Sequence, residues 1–261
     1  MQIVVADVGN SSIKYLVGTI ADRGQPFQPG WKDCRCIQPD DLDPATQPLL
    51  ENSVHWYVSS VNADHLTSLQ AHCVANNIAE SWTVIGNHDI PLQVNVEQPA
   101  SVGVDRLLAA LAAHQLYGQA ADAIVIDCGT ALTIDLVTSD GVYEGGVIIA
   151  GPRTNLRALS DMTAALPDLS LEQIERPQNV VGKSTRQAML SGAYYNGLGA
   201  LRETVAAIQK STGSSPVVVG TGGGMGPWRD QFPADWILVK DLVLDGIAFV
   251  ATRMIHEIRS T

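Results

Sequence analysis

The sequence predicts an α/β protein built from two related halves, and three observations support this interpretation. An apolar strand that ends in Asp-x-Gly occurs twice, 120 residues apart, in segments 5–17 and 125–137. Strand-like and helix-like runs alternate in each half, which is typical of α/β proteins. A glycine-rich turn at 221–224 follows a further apolar strand. Such turns are common ligand platforms in α/β folds, so the chain is predicted to bind a nucleotide.

Both copies of the repeated segment continue at once into a second β-rich run. The identical positions are Val5, Asp7, Gly9, Leu16 and Val17, which recur as Val125, Asp127, Gly129, Leu136 and Val137. Each copy places a carboxylate at a strand end, beside a glycine that lets backbone N–H groups approach a ligand closely. A charged side chain at the end of a buried strand costs free energy unless it is paired or binds a ligand. We therefore interpret the pair as functional and expect the active site in the cleft between the two halves.

The first half is predicted to begin with a buried strand at 2–7 and its hairpin partner at 12–20. Residues 22–52 contain five prolines and are predicted to form a connection with little regular structure. Hydrophobic periodicity and a possible Asn or Asp cap predict the later elements. These are a strand at 54–61, a helix at 62–77, a strand at 82–86 and a helix at 103–117.

The second half is predicted to begin near residue 119, so the predicted domains are 1–118 and 119–261. Asp140 and Gly141 form a strong hairpin signal between two of its strands. The predicted elements are strands at 123–127, 132–137 and 142–149, helices at 153–165 and 185–210, a strand at 217–220 and a closing helix at 241–258.

Composition excludes several classes of function. The 261 residues carry a net charge of −11 without any cluster of basic residues, which disfavours nucleic-acid binding. We expect no signal peptide and no membrane span, since the chain starts with a strand and has no apolar run of sufficient length. The four cysteines lack metal-ligand spacing and are expected to be free thiols in a reducing cytoplasm.

Two further segments have both a structural and a functional interpretation. Asp105 lies in Gly-Val-Asp-Arg at the start of an apolar helix, where an acidic residue commonly complements the helix dipole but can also serve catalysis. Gly-Lys-Ser-Thr at 182–185 ends like a phosphate-binding loop, but Pro177 stands where that motif requires glycine. Thr185 starts a helix, so its side chain serves either as a cap or as a ligand contact.

Taken together, these segments resemble type III pantothenate kinase, a bacterial enzyme of coenzyme A biosynthesis. Its superfamily contains acetate kinase, sugar kinases, Hsp70 and actin, which share duplicated actin-like (ribonuclease H-like) ATPase domains. Seven motifs follow the family's order along nearly the whole chain. They are Asp-Val-Gly-Asn-Ser-Ser-Ile-Lys at 7–14, Gly-Val-Asp-Arg at 103–106, Asp-Cys-Gly-Thr-Ala-Leu-Thr at 127–133, Gly-Gly-Val-Ile at 145–148, Gly-Lys-Ser-Thr at 182–185, Thr-Gly-Gly at 221–223 and Leu-Val-Leu-Asp-Gly at 242–246.

The resemblance implies a reaction and a role for each motif. The implied activity is ATP-dependent phosphorylation of pantothenate to 4′-phosphopantothenate, with Asp105 as the general base. The residues implied to hold ATP are Asp7, Val8, Gly9, Asn10, Ser11, Ser12, Ile13, Lys14 and Thr130, to which the glycine-rich turn adds Gly222 and Gly223. Those implied to contact pantothenate are Gly103, Val104, Asp105, Arg106 and Thr185.

The family also implies metal ions and a partner. Asp7 is implied to lie near the Mg²⁺ that accompanies ATP, and Asp127 to coordinate a monovalent cation, potassium or ammonium. A homodimer is implied, because the family's active site and cation site lie near a dimer interface.

One departure concerns the substrate pocket. Many family members place a tyrosine shortly before Gly-x-Asp-Arg to contact pantothenate, and Val96 stands at that position here. This departure favours an alternative, another small-molecule kinase of the same superfamily. A non-catalytic nucleotide-binding regulator is a third hypothesis. Retention of Asp7, Asp105 and Asp127 argues against it.

Overall fold

The computed structural model describes residues 2–19, 34–42 and 54–258. In these ranges the strands form two sheets. The first sheet has the order β3-β2-β1-β4-β5, in which β1 is antiparallel to β2 and parallel to β4. Its strands are β1 (Gln2–Val8), β2 (Ile13–Thr19), β3 (Arg35–Ile37), β4 (Val54–Ser60) and β5 (Ala79–Val84).

The second sheet repeats this connectivity. Its central strand β7 is antiparallel to β8, which is antiparallel to β9, and β7 is parallel to β10. The order β11-β10-β7-β8-β9-β6 therefore reproduces the first sheet and adds one edge strand. The strands are β6 (Gln93–Val94), β7 (Ala123–Cys128), β8 (Ala131–Val137), β9 (Val142–Ala150), β10 (Val217–Thr221) and β11 (Ile237–Leu238). The mixed α/β class and the duplication are as the sequence predicts, and the shared topology is the ribonuclease H-like one.

Five α-helices connect and cover these strands in the described residues. They are α1 (Ala63–Ala75), α2 (Val104–Ala113), α3 (Pro152–Asp161), α4 (Thr185–Thr212) and α5 (Leu242–Ile258). The helix predicted at 103–117 changes its winding partway, because α2 passes into a π-helical turn at His114–Gly118. The glycine-rich turn leads into a 3₁₀ segment, Gly223–Gln231.

The chain separates into two compact units, and the C-terminal helix belongs to the first. One unit comprises Met1–Gln93, Glu97–Ala112 and Asp241–Thr261, and the other comprises Val94–Val96 and Ala113–Lys240. This division differs from the predicted domains 1–118 and 119–261 at the C-terminus, where α5 packs against β1 and β4 of the first sheet. The physical reason is the nearly continuous apolar surface of α5, which must be covered on several sides.

Each unit has its own apolar core. In the first, alternate residues of β1 and β4, including Val4, Ala6 and Trp56, pack with Leu69 of α1. On the other side of the unit, α5 and α2 approach closely at Gly246, where a Cβ atom would lie 2.2 Å from the carbonyl oxygen of Leu108. In the second, the apolar residues of β7 and β8 pack against α4 and Trp228. Trp228 also donates a buried hydrogen bond of 2.9 Å to the carbonyl of Tyr194.

The prediction of little regular structure at 22–52 is wrong in part. Residues 34–42 contain the strand β3 and a 3₁₀ turn at Pro39–Asp41, whereas the rest of that segment lies outside the described residues. The sequence signal for β3 is weak, because the strand has only three residues and takes its register from β2, with Ile13 opposite Ile37. Among the described helices, none is both long enough and apolar enough to cross a membrane.

Candidate active site

The first Asp-x-Gly turn is closed by its own backbone and tied to the neighbouring strand. The Gly9 N–H donates to the Ser12 carbonyl over 3.0 Å, which reverses the chain between β1 and β2. Asp7 is half-buried, and the hydroxyl of Ser59 at the end of β4 donates to its Oδ1 over 3.1 Å. Lys14 is the register partner of Asp7 on β2, so the two side chains share one face of the sheet. This turn therefore brings a carboxylate, an ammonium group and backbone amides together.

Two side chains from the start of α1 contact the same turn. Nδ1 of His65 is 2.9 Å from the carbonyl oxygen of Gly9. The amide of Asn62, the N-cap of α1, donates to Oδ1 of Asn10 over 3.3 Å. Sequence reasoning missed Ser59, Asn62 and His65, because these contacts join positions more than 50 residues apart.

The second Asp-x-Gly turn is also closed by its own backbone, but it is one residue shorter than the first. The Gly129 N–H donates to the carbonyl of Ala131, two residues on, over 2.8 Å, whereas Gly9 donates to Ser12, three residues on. The Thr130 carbonyl accepts hydrogen bonds from the Gly151 N–H over 3.0 Å and from the Thr154 hydroxyl over 2.6 Å. Thr130 itself is exposed. The turn is thus held from the α3 side while its threonine remains accessible.

The glycine-rich turn after β10 lies directly against Asp127. Gly222 has a φ of +93°, and a Cβ atom built on it would lie 2.6 Å from Oδ1 of Asp127 and 2.4 Å from the carbonyl oxygen of Cys128. Only glycine fits this approach. Gly223 is exposed and has open space around it, with no atom within 4 Å of a built Cβ. Asp127 and Gly222, which the sequence assigned to cation and nucleotide, are therefore neighbours.

The thiol of Cys128 serves packing in this turn. Burial, with a smaller contribution from the Asp127 charge, raises the pKa of the Cys128 thiol to about 12. A thiol with that pKa stays protonated near neutral pH and is a poor nucleophile. We therefore assign Cys128 no part in chemistry.

The Gly-Val-Asp-Arg segment forms the first turn of α2. Asp105 is half-buried, and its Oδ1 accepts the Arg106 N–H over 2.9 Å. A Cβ atom on Gly103 would lie 2.5 Å from that same oxygen, so a side chain there would displace the carboxylate. The side-chain amide of Asn87 donates to the Val102 carbonyl over 2.8 Å and fixes the approach to the helix. The local backbone therefore holds the Asp105 carboxylate in one orientation.

Thr185 is available for a ligand because another residue caps α4. Ser184 is the N-cap, and its hydroxyl accepts the Gln187 N–H over 3.2 Å. Thr185 is exposed and lies at a cavity of about 400 Å³ in the second unit. The other residues around this cavity are Asn155, Leu159, Leu166, Ala188, Met189, Gly192, Ala193 and Asn196. The cavity is lined mainly by apolar side chains, together with the side-chain amides of Asn155 and Asn196 and the hydroxyl of Thr185.

Val96 is held on β9 by the short strand that precedes it. The Asn95 N–H donates to the Tyr143 carbonyl over 2.9 Å, and the Asn95 amide donates to Oε2 of Glu144 over 2.7 Å. Gly145, with a φ of +89°, leaves room for Val96, whose Cγ1 would stand 3.3 Å from a Cβ built there. Val96 is half-buried. Its position is set by β9 rather than by the Gly-Val-Asp-Arg helix that follows it in sequence.

The duplicated topology, with an Asp-x-Gly turn after the central strand of each sheet, defines an actin-like nucleotide-binding fold. Comparison of the sequence narrows this class, because residues 3–207 match the family model of type III pantothenate kinase. The chain is 37% identical over 273 residues to type III pantothenate kinase of Kosmotoga olearia, covering 96% of each protein. The chain belongs to the type III pantothenate kinase family.

Two further relatives match over a shorter range. The chain is 39% identical to type III pantothenate kinase of Ruegeria sp. over 168 residues, which cover 64% of this chain and 61% of that protein. It is 44% identical to the Acidiphilium cryptum enzyme of the same name over 160 residues, 61% of this chain and 58% of that protein. These matches therefore span about three-fifths of the length of those two relatives. Among solved structures, MreB 5 of Spiroplasma citri bound to AMPPNP aligns over 99% of this chain and 98% of its own with 12% identity and a TM-score of 0.49.

Proposed function

We propose that this protein transfers the γ-phosphoryl group of ATP to the primary hydroxyl of pantothenate, giving 4′-phosphopantothenate for coenzyme A biosynthesis. The observation that carries the proposal is the retention of Asp7, Asp105 and Asp127, each at the position of a family motif. The substrates are small and water-soluble, and all four cysteines are free thiols. A cytoplasmic location accords with both facts.

The first turn is suited to the phosphates of ATP. Phosphoryl transfer depends on positioning and on neutralising charge, for which backbone amides and a lysine are effective groups. Lys14 supplies a positive charge on the same face as Asp7. In the second unit, Thr130 and the glycine-rich backbone at Gly222 and Gly223 are suited to contact the nucleotide, and the space beside Gly223 is open.

The Asp7 carboxylate fits the magnesium ion that ATP carries. Mg²⁺ prefers oxygen ligands and is commonly held by one or two carboxylates together with substrate phosphates. The hydrogen bond from Ser59 orients Asp7 for such a contact. The described residues include no group of three His, Cys, Asp or Glu side chains able to hold a metal by themselves. When bound, the ion would neutralise phosphate charge, and Asp7 would hold it directly or through water.

Asp105 is the proposed general base. Its carboxylate would accept the proton of the pantothenate hydroxyl as the oxygen attacks the γ-phosphorus in line. A carboxylate suffices because the proton can leave late in a loose transition state. Arg106 and Gly103 contribute by fixing the orientation of Asp105. Gly103, Val104, Arg106 and Thr185 are proposed to contact pantothenate.

Asp127 fits a monovalent cation. Oδ1 of Asp127 and the carbonyl oxygen of Cys128 both border Gly222, so the turn presents two oxygen atoms near each other. Oxygen atoms are the preferred ligands of hard cations. Such a cation would offset the charge of Asp127 beside the nucleotide, and we expect turnover to depend on potassium or ammonium.

A second copy of the chain is the proposed partner. The second unit carries exposed apolar side chains on β9, at the end of α3 and in the segment that precedes α4. The most exposed are Met162, at 85%, Val181, at 69%, Ile148, at 62%, and Val180, at 61%. The Ser191 hydroxyl donates to the Val180 carbonyl over 2.6 Å and attaches that segment to α4. We propose that these side chains come together in the interface between two copies, where contact would remove them from water.

The test is ATP consumption by the purified protein with and without pantothenate. We expect pantothenate-dependent ADP formation and a product one phosphoryl group heavier than pantothenate. Val96, in place of the family tyrosine, favours one other candidate, a kinase for a different small hydroxylated acceptor. ATP consumption that pantothenate does not stimulate but another acceptor does would establish that candidate instead.

A further inference from the structure

The carbonyl group of Gly9 has a specific partner outside its own turn. His65, in the first turn of α1, lies with Nδ1 2.9 Å from the Gly9 oxygen. A carbonyl oxygen only accepts hydrogen bonds, so His65 must be the donor and its Nδ1 must carry the proton. The interaction spans 56 residues of sequence and ties α1 to the loop between β1 and β2.

This bond fixes the direction of the next backbone amide. In a trans peptide unit the carbonyl and the following N–H point to opposite sides of the plane. When the Gly9 oxygen is directed toward α1, the N–H of Asn10 is therefore directed away from α1. Asn10 belongs to the segment proposed to hold the ATP phosphates. His65 thus acts on a group that would face the nucleotide without touching the nucleotide itself.

The histidine is itself held in place. Its backbone N–H donates to Oδ1 of Asn62 over 3.0 Å, which is the capping bond of α1. Asn62 is fixed through its own backbone, because its N–H donates to the Ser60 hydroxyl over 3.1 Å and its carbonyl accepts from that hydroxyl over 2.9 Å. The Val61 N–H donates to the Val8 carbonyl over 3.1 Å and continues this chain of bonds back to β1.

A flexible glycine turn needs such support to bind phosphate well. Glycine loses more conformational freedom than other residues when it is ordered, so an unsupported turn would lose part of its binding energy in ordering Gly9. Asn62 adds a second contact, from its amide to the Asn10 side chain. His65 therefore contacts the residue before the Gly9–Asn10 peptide bond, and Asn62 contacts the residue after it.

We propose that His65 is a positioning residue for the phosphate-binding turn, with Asn62 as its support. By donating to the Gly9 carbonyl, His65 holds the Asn10 amide toward the nucleotide phosphates. The inference rests on the proposed function of the 7–14 segment as a phosphate site. It assigns to α1 a role in nucleotide affinity that none of the sequence motifs indicates.

The experiment compares His65→Ala with His65→Asn in the full-length chain. The side-chain amide of asparagine can place a donor near the position of the histidine Nδ1, whereas alanine has none. We expect the KM for ATP and the dissociation constant of a non-hydrolysable ATP analogue to rise three- to tenfold in His65→Ala, the usual effect of one lost hydrogen bond. The KM for pantothenate should not change, and His65→Asn should recover most of the ATP affinity.

Ser68→Ala is the matched control. Ser68 is exposed on the same helix, and its hydroxyl donates only to the Asp64 carbonyl within that helix. The ATP affinity of the Ser68→Ala variant should equal that of the unsubstituted protein. Should His65→Ala fail to fold, His65→Leu, which retains bulk without a donor, takes its place in the comparison.

The outcomes separate the two proposals. If the unsubstituted protein does not bind the ATP analogue, the proposed function fails. If it binds, but the donor-free variant binds within twofold of it, the role of His65 is overturned while the proposed function stands. An asparagine variant as weak as the donor-free one would also overturn the role of His65, because the hydrogen bond would then not be the cause.

Discussion

Single residues in this protein owe their chemical properties to the elements that hold them. Asp105 is an ordinary first-turn acidic residue by position, but contact with the Arg106 N–H and the absence of a side chain on Gly103 leave its carboxylate in one orientation. Asp245 also occupies a first helical turn, that of α5, yet only 6% of its surface is exposed. The two aspartates are therefore expected to respond differently to neutralisation.

Asp105→Asn should retain the fold and ATP binding while lowering kcat by about a hundredfold or more, the usual contribution of a general base. The amide keeps the size and hydrogen-bonding geometry but does not accept the hydroxyl proton. Steady-state kinetics and binding of an ATP analogue measure the two effects separately. Turnover close to that of the unsubstituted protein would remove Asp105 from the mechanism.

Asp245→Asn should stabilise the protein above neutral pH. Burial first, and the nearby Asp241 charge second, raise the pKa of Asp245 from 3.8 to about 7. Between these values the native state keeps a proton that the unfolded state loses, so stability falls as pH rises from about 4 to about 7. A shift of this size corresponds to at most about 4 kcal/mol above that range, at about 1.4 kcal/mol per pKa unit.

The measurement is the free energy of unfolding by urea at pH 5 and pH 8. The asparagine variant should gain more stability at pH 8 than at pH 5. Asp64→Asn is the matched control, since Asp64 is an exposed acidic residue in the first turn of α1. An equal effect of Asp245→Asn at both pH values would contradict the assignment.

Secondary-structure elements set the geometry of each turn. Each Asp-x-Gly turn joins a central strand to its antiparallel partner, β1 to β2 and β7 to β8, and is closed by a backbone hydrogen bond from its glycine, although the second turn is one residue shorter. Their supports differ. The first is held by the start of α1, whereas the second is held by α3 and by the glycine-rich turn that follows β10.

Gly222→Ala and Gly223→Ala should differ sharply although the glycines are adjacent. At Gly222 a methyl group would collide with Asp127 and Cys128, and φ is in the left-handed region. At Gly223 the space is open. We expect Gly222→Ala to lower the melting temperature by several degrees, a loss of about 1–3 kcal/mol, and to weaken ATP binding, with Gly223→Ala near normal in stability. Equal melting temperatures would show that the close approach to Asp127 is not required.

At the scale of the whole molecule, charge and apolar surface determine which partners are available. A net charge of −11 without a basic cluster remains unfavourable for nucleic acid. The exposed apolar residues of the second unit, by contrast, are the surface proposed above for association between copies. Met162, at the C-terminus of α3, is the most exposed of them.

Met162→Glu should convert a dimer into a monomer at micromolar concentration. A charge buried in the proposed apolar interface would lose its hydration on association without gaining a partner. Sedimentation velocity or light scattering measures the change in mass. The control is Val74→Glu, because Val74 is 75% exposed but lies on α1 of the other unit. If both variants dimerise equally well, the interface lies elsewhere.

Much of the fold follows from local sequence. The apolar runs before Asp-x-Gly and the β-rich runs after it located the strands that begin and end these segments, and the repeat itself predicted a duplicated fold. Helix bounds agree within a few residues at α1, α4 and α5. These features depend on backbone geometry and periodic burial, which neighbouring residues determine. The seven ordered motifs likewise predicted the family that the comparisons establish.

Long-range packing decided the rest. No local pattern indicates that α5 covers the first sheet, that β3 forms by pairing with β2, or that Val96 rests on β9. His65 and Gly9 are in contact although 56 positions separate them in the sequence. Gly222 and Asp127 are in contact across 95 positions. The sequence by itself determined that the candidate residues lie at strand ends and turns, since those features are local. Only the tertiary structure decided what supports and orients them, because such support comes from side chains that folding brings together.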